Sequence, residues 1–435
     1  SGRQIESWPF DGDTEREHRK LLKDNPPAIL LTNPEMLHYS FLGWADHWDR
    51  FLRNIKFIVI DEIHEYRGYF GTQFSFLFRR FLHKLHSIGV HPQLFLATAT
   101  CANPGEHARN LTGRECKLIS AAQRMRPERH FLFIDPQGIP DFRFLEIFQL
   151  RVARAALACI RQGLSSICFC PSRKFAEEVA KKARRDAPKW EISQEVIAPY
   201  RSGFSANDRR NIEEGLRNGN YQAVFSTNAL ELGIDIGRLD VCILAGFPES
   251  MMSAWQRIGR AGRSLDKKAF VMYFAMNNAY DKFFANNADV FLEKPLDEIT
   301  IGLENEEVMN QHIPYLLHES GWQFDDAAKR ILGPSFLKAV KMKSHGKRPI
   351  SGNQGPSYQR LNLRGVSDAI FTLKRNGTEI GTISGDQAFR EAYMGAIYNH
   401  FGKQYKVIGY GSREIHLEDA EPNLITIPSF FTVIK

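Results

Sequence analysis

Short apolar runs recur along the chain, separated by stretches in which apolar residues return every three or four positions. Ala28 to Thr32, Phe57 to Ile60 and Gln93 to Ala97 are runs of the first kind. Between the last two, Phe74 to Leu85 places Phe74, Leu77, Phe78, Phe81 and Leu82 on one helix face. The alternation then repeats. Ser166 to Phe169, Ala223 to Ser226, Val241 to Ala245 and Phe270 to Phe274 read as strands, and Phe175 to Arg184 and Asp208 to Arg217 as helices. Short strands alternating with helices are the pattern of a parallel sheet. Two α/β units are therefore expected.

After about residue 290 the texture changes. Leu296 to Leu317 and Phe324 to Lys341 read as helices of a small helical or winged-helix module. A basic connection, Lys341 to Arg348, has the composition of a solvated linker. From Tyr358 onward strand-like segments are punctuated by Asn376-Gly377 and Gly409-Tyr410-Gly411, which predicts a small β-rich domain. The expected order is an incomplete first sheet domain over 1–136, a second over 137–290, a helical module over 291–345 and a β-rich domain over 346–435. No internal repeat or low-complexity tract interrupts it.

Composition adds limits rather than identity. Hydrophobic residues make up 43% and charged residues 25% of the 435, enough for ordinary cores. No run is long and apolar enough to span a bilayer, so no membrane partner is expected. The start, Ser1-Gly2-Arg3-Gln4, is polar, shows no secretory signal and lacks Met, so it reads as a fragment or a processed start. The net charge of +7 is compatible with a polyanionic partner but does not identify one. None of the six cysteines falls in a CxxC pair or near a His at zinc-finger spacing. Reduced structural thiols in a cytosolic-type compartment are expected, with Cys168 and Cys170 in a buried strand.

The chemistry concentrates at strand ends. Ile58-Val59-Ile60 runs into Asp61-Glu62-Ile63-His64, two carboxylates and a histidine where the carboxyl edge of a sheet would bind ligands. Such an Asp can hold Mg²⁺ through water, and the adjacent Glu can polarise an attacking water. Taken alone the tetrapeptide is weak, since acids often close strands, and the lesser alternative for His64 is a hydrogen-bonded core residue. Thr98-Ala99-Thr100 closes another run with two hydroxyls, and Thr227 to Asp235 follows a third. In Gln256-Arg257-Ile258-Gly259-Arg260-Ala261-Gly262-Arg263, arginines recur every third residue among glycines that permit close approach. Arginine is the residue expected to stabilise charge on a transferring phosphoryl group.

In this order and spacing the residues resemble superfamily 2 helicases. Asp61-Glu62-Ile63-His64 is similar to motif II, Thr98-Ala99-Thr100 to motif III, Thr227 to Asp235 to motif V, and Gln256 to Arg263 to motif VI. Thr32-Asn33-Pro34-Glu35-Met36-Leu37 resembles motif Ib, and Cys170-Pro171-Ser172-Arg173 motif IV. Asp11-Gly12-Asp13-Thr14, Ala102-Asn103-Pro104, Leu111-Thr112-Gly113 and Arg390 to Tyr398 further resemble the MrfA-type DNA helicases, bacterial repair motors. Two features of that pattern are not found. The sequence holds no Gly-Lys-Ser/Thr loop; its Gly-Lys pairs, Gly346-Lys347 and Gly402-Lys403, lead into Arg348 and Gln404. The family's terminal cluster of four cysteines is missing too.

The resemblance implies two RecA-like domains facing across an ATP cleft, followed by helical and β-rich modules. By the same resemblance Asp61 positions Mg²⁺, Glu62 activates the water, and Arg260 and Arg263 act as fingers. Gln256, Gly233 and Asp235 line the nucleotide side, while His64, Thr98 and Thr100 couple hydrolysis to motion. Thr32, Asn33 and Pro34, with Ser172, Arg173, Arg201 and Thr227, would hold single-stranded or partly duplex nucleic acid, DNA above RNA, through its phosphates. Each of these could instead be a plain turn residue, Asn33-Pro34 above all. The family's ATP chemistry would need the phosphate loop, from a longer chain or from a partner chain. A non-hydrolysing, nucleic-acid-binding scaffold is the alternative. A nuclease lacks support, because no separate cluster of acidic metal ligands stands out.

Overall fold

The computed structural model describes the chain apart from residues 1–4, 13, 99–100, 120–127, 201–203, 205, 232–238, 263–267, 321–323, 345–355, 359–360, 365–369, 401–402, 422–423, 425 and 427–435. The chain divides into two compact units, Ser1–Ser120 with Glu298–Val366, and Ala121–Asp297 with Ser367–Lys435. No helix among the described residues is long and apolar enough to cross a membrane.

In the first unit, β1 (Ser7–Phe10) pairs in parallel with β2 (Ile29–Thr32), and β3 (Phe57–Ile60) with β4 (Gln93–Leu96). Ile58, Ile60, Leu94 and Leu96 point towards the long helix Gly68–Ser87 and join its Phe74, Leu77, Phe78 and Phe81 in one core. The opposite face of the same pair is bare: Phe57 is 61%, Val59 67% and Phe95 48% exposed. Parallel sheets are ordinarily covered on both faces. This one is covered on one.

Residues 298–366 complete that unit. Residues 296–305 are not the helix that their apolar spacing predicts. Their backbone is held by tertiary partners instead: Ile299 N–H donates to Asn103 Oδ1 (2.9 Å), Gly302 N–H to Thr72 Oγ1 (2.8 Å), and the Thr300 carbonyl accepts from Gly68 N–H (3.1 Å). Helix begins at Glu306–Ser320 and continues in Asp326–Leu332 and Pro334–Ser344, where Gly333 at φ +87° breaks what the sequence suggests as one segment. Lys341 to Ser344 therefore belong to a helix rather than to a linker.

A buried polar cluster ties these helices to Gly68–Ser87. Arg80 is fully buried and pairs with both oxygens of Glu319, which is buried as well. Its Nη1 donates to His312 Nδ1 (3.0 Å), and its Nη2 lies 3.5 Å from His38 Nδ1. His312 in turn donates from Nε2 to Gln73 Oε1 (2.7 Å), and the Tyr358 hydroxyl donates to Glu319 (2.8 Å). Burial and the neighbouring guanidinium push the His38 imidazole down to about 3 and hold His312 well below the usual range. Both rings are neutral at pH 7.

The second unit contains the complete parallel sheet expected of a RecA-like domain. Its strands β5 (Arg129–Ile134), β6 (Ser166–Phe169), β7 (Ile197–Tyr200), β8 (Ala223–Ser226), β9 (Val241–Ala245) and β10 (Ala269–Phe274) lie in the order β5-β10-β9-β6-β8-β7. Alternate side chains enter opposite cores. Cys168 packs under helices Asp141–Arg161 and Arg173–Asp186, whereas Ile167 and Phe169 face the side of Ala206–Arg217 and Met251–Ile258. β7 escapes the sequence reading because Pro199 interrupts it, a residue that only an edge strand tolerates. All six cysteines are free, and Cys168 and Cys170 are buried with sulfurs 3.9 Å apart.

The β-rich domain of this unit is a five-stranded sheet in the order β12-β11-β15-β14-β13. Its strands are β11 (Ile370–Arg375), β12 (Thr378–Ser384), β13 (Ile397–His400), β14 (Lys403–Tyr410) and β15 (Glu414–Asp419). Asn376 and Gly377, both at positive φ (48° and 80°), make the tight hairpin between β11 and β12 that the sequence predicts. The second turn falls after Tyr410, so Gly409 and Tyr410 are strand rather than turn.

Candidate nucleotide and nucleic-acid site

In the first unit, β3 delivers Asp61 and Glu62 at its carboxyl end, beside the end of β4. Ile63 N–H donates to the Ala97 carbonyl (2.9 Å) and Ala97 N–H to the Ile60 carbonyl (3.0 Å), so the two strand exits are stitched together. Glu62 sits at φ 49° and ψ 50°, a left-handed conformation that costs a non-glycine residue about 1–2 kcal/mol. Its N–H donates to Asp61 Oδ1 (2.9 Å), which helps to hold the turn. The effect is to place two adjacent carboxylates at the strand end, Asp61 exposed and Glu62 partly so.

His64, by contrast, is 1% exposed. Its Nδ1 lies 3.0 Å from Thr98 Oγ1 and 3.4 Å from Glu62 Oε2, so one ring nitrogen lies close to both strand exits. Burial first, then the positive charge of Arg67, lowers its pKa to about 4. The ring at pH 7 is a neutral hydrogen-bonding group, not a cation. A residue that the sequence did not single out supports the turn: His107, on helix Pro104–Thr112, donates from Nε2 to the Ile63 carbonyl (2.8 Å). Thr100 lies outside the described residues.

The motif Ib-like segment has clear structural work. Thr32 Oγ1 donates to the Phe10 carbonyl (2.8 Å), joining β2 to β1. Asn33 caps the turn Pro34–Met36, accepting from Met36 N–H (2.9 Å), and Pro34 is buried. Thr32 is exposed and Asn33 half-buried.

In the second unit the candidate residues gather at the carboxyl edge of the sheet and along one helix. After β6, Ser172 caps helix Arg173–Asp186 by accepting from Phe175 N–H (3.2 Å), with half-buried Arg173 as its first residue. After β8, Thr227 opens a short turn of helix, and Cys170 N–H donates to the Ser226 carbonyl (2.7 Å), joining the two exits. Gln256 lies half-buried in Met251–Ile258. Arg260 is buried and donates from Nε (2.9 Å) and Nη2 (2.6 Å) to the Glu231 carbonyl, while Arg257 Nε reaches Glu231 Oε2 (2.8 Å). Glu231 thus fastens the motif VI-like helix to the motif V-like turn, a role that the sequence reading did not assign to it. Gly262, at φ 74°, turns the chain directly after Arg260. Arg201, Gly233, Asp235 and Arg263 lie outside the described residues.

Two family matches divide the chain in the same way. Residues 2–107 match the DEAD/DEAH box helicase family and 149–264 the helicase conserved C-terminal domain. An uncharacterised ATP-dependent helicase of Bacillus subtilis, YprA, is 30% identical over 93% of this chain and 55% of its own length. The ATP-dependent helicase HRQ1 of Saccharomyces cerevisiae is 33% identical over 92% of this chain and 38% of its own. The chain therefore spans about half the length, or less, of these curated relatives. Among solved structures, helicase MrfA bound to DNA and AMPPNP superposes with a TM-score of 0.85, at 28% identity, over 96% of this chain and 60% of that one.

Proposed function

The chain belongs to the superfamily 2 helicases, and we propose that it is the motor part of an ATP-dependent DNA helicase or translocase acting in DNA repair. The observation that carries this reading is the location of its chemistry. Asp61, Glu62 and Thr98 lie at the exits of β3 and β4, and Ser172 and Thr227 at those of β6 and β8, where parallel sheets bind ligands. Cytoplasm, or a nucleus in a eukaryote, is the compartment that the reading assigns.

On this reading Glu62 orients and polarises the attacking water, and Arg260 with Arg263 stabilises the phosphoryl charge. His64 and Thr98 carry the change at Glu62 to the neighbouring strand exit, with Thr100 beside them. Gln256, Gly233 and Asp235 line the nucleotide, and Asp61 is the Mg²⁺ residue. An exposed carboxylate suits that ion, which keeps most of its ligands as water and phosphate oxygens. Mg²⁺ bound with ATP would neutralise charge on the phosphates. Thr32 and Asn33 in the first unit, and Ser172, Arg173, Arg201 and Thr227 in the second, hold DNA phosphates. Pro34, being buried, shapes that turn rather than touching the strand.

The family's chemistry also calls for backbone amides and a lysine around the β- and γ-phosphates, and this sequence has no Gly-Lys-Ser/Thr loop. The bare face of Phe57, Val59 and Phe95 supports a further segment, of the same polypeptide or of a partner chain, that covers β3 and β4 and brings the loop. The test is ATP hydrolysis with single-stranded DNA, by the chain alone and by a form that includes a loop-bearing segment. Turnover only in the second form is expected. DNA-stimulated turnover by the chain alone, lost in Glu62→Gln, would overturn the need for the segment. No turnover in either form, with DNA still bound, would favour the scaffold.

A further inference from the structure

The carboxyl edge that carries Ser172 and Thr227 extends past them. Next to β6 in the sheet is β9, then β10. Their exits are bound together by one buried side chain: Asp281 accepts from Phe247 N–H (3.2 Å) after β9 and from Met276 N–H (2.8 Å) after β10. Asp281 belongs to helix Ala279–Asn286, so this helix is anchored on the same edge as the proposed phosphate contacts. Phe247 stacks on Phe284 (4.7 Å between centroids, 19° between planes) and meets Tyr280 edge-on at 5.0 Å. These inner rings leave two outer ones uncovered. Tyr280 is 54% and Phe283 50% exposed.

Tyr280, Phe283 and Phe284, with Val290, Lys294 and Pro295, line an open pocket of about 390 Å³; Glu293 completes it. A volume of a few hundred Å³ suits a planar ring of nucleobase size. The rings are positioned by a buried carboxylate and by Phe247, so little would be lost in ordering them. Lys294, an exposed residue of the lining, offers a cation to a phosphate chain passing outside. Rings that take the bases beside lysines that take the phosphates are the combination by which single strands are held without sequence preference.

We propose that this pocket is a base-stacking step for single-stranded DNA, continuing the strand path from the exits of β6 and β8 along those of β9 and β10. The proposal rests on the nucleic-acid reading of that edge. It adds a contact to bases where every contact assigned so far is to phosphates.

The test separates the two. Anisotropy titrations compare a labelled oligothymidylate with an abasic strand of equal length, which keeps the phosphates and lacks the bases. Tyr280→Ala and Phe283→Ala should each weaken the oligothymidylate by roughly fivefold or more and leave the abasic strand unaffected, whereas Tyr280→Trp should retain binding. Lys294→Gln should weaken both strands alike and reduce the salt slope. Both positions are half exposed, so unchanged melting curves are expected and confirm an intact fold. Equal affinity of parent and alanine variants for oligothymidylate, with a steep salt dependence preserved, refutes the stacking step alone. Binding of both strands that is flat in salt refutes the phosphate path, and the step falls with it.

Discussion

Acid should loosen the first unit through its buried histidines, two of which face Arg80, and the size of the His38 contribution can be worked out. Around Arg80 the facing charged and titratable groups are Glu319, His38, His312, Tyr315 and Tyr358. Glu319 balances the guanidinium, and each imidazole meets it with a nitrogen lone pair. Protonating either ring would set a second positive charge against Arg80 in a buried site. Unfolding releases both rings to an ordinary pKa near 6.5. The folded values are depressed, so the unfolded chain binds more protons on acidification. Stability present above pH 6.5 is lost as the pH falls towards the folded value, about 3 for His38. At pH 5 the His38 ring costs about 2 kcal/mol, and His312, also held well below the usual range, adds to it in the same direction.

Amide hydrogen exchange of helix Gly68–Ser87, corrected for the intrinsic effect of pH, reads this locally. Between pH 8 and pH 5 its protection should fall by about thirtyfold from His38, since each 1.4 kcal/mol is a factor of ten, and further from His312. His312→Gln keeps an acceptor for Arg80 and a donor for Gln73 but cannot titrate, so its loss should be smaller than the parent's. Equal losses in parent and variant, or protection unchanged down to pH 5, would show that the rings take up protons without opposing Arg80.

Other outcomes follow from the same geometry. Glu319→Ala leaves the Arg80 guanidinium buried without its counter-ion and should cost about 3–5 kcal/mol in denaturant unfolding; a loss under about 1 kcal/mol would mean that water replaces the carboxylate. In a form that carries the phosphate loop, Glu62→Gln should keep ATP binding and lose most turnover, measured as nucleotide affinity against phosphate release. There Arg260→Ala should slow hydrolysis by roughly 10³-fold, and a near-normal rate would transfer the finger role to Arg263. Single-strand affinity of the chain should fall with salt at a slope of about −0.7 per phosphate, and Arg173→Ala should make that slope shallower. If instead only neutralising Lys341, Lys343, Lys347 and Arg348 weakens binding, the strand is held by the accessory region.

Where local pattern and tertiary demand agree, the sequence is a good guide. β6, β8 and β9 are buried on both faces, and their boundaries are readable because every residue is apolar or small and the exits of β6 and β8 carry motifs. It is a poor guide where partners are distant. Arg80, His312 and Glu319 are more than two hundred positions apart in part, and nothing local distinguishes them from surface residues. Residues 296–305 have helical spacing, yet Asn103 and Thr72 take their backbone groups. Glu231 matters as much through its carbonyl, which no side-chain pattern encodes, as through its carboxylate. β3 is the instructive case. Phe57-Ile58-Val59-Ile60 is apolar at every position, the pattern of a strand covered twice, whereas its neighbour helix covers only Ile58 and Ile60. Leaving Phe57 and Val59 in water forgoes about 1.5–3 kcal/mol for each side chain that a covering segment could bury. In the proposed reading the segment that covers β3 also carries the phosphate loop, so covering Phe57 and Val59 and completing the site beside Asp61 and Glu62 would be one event.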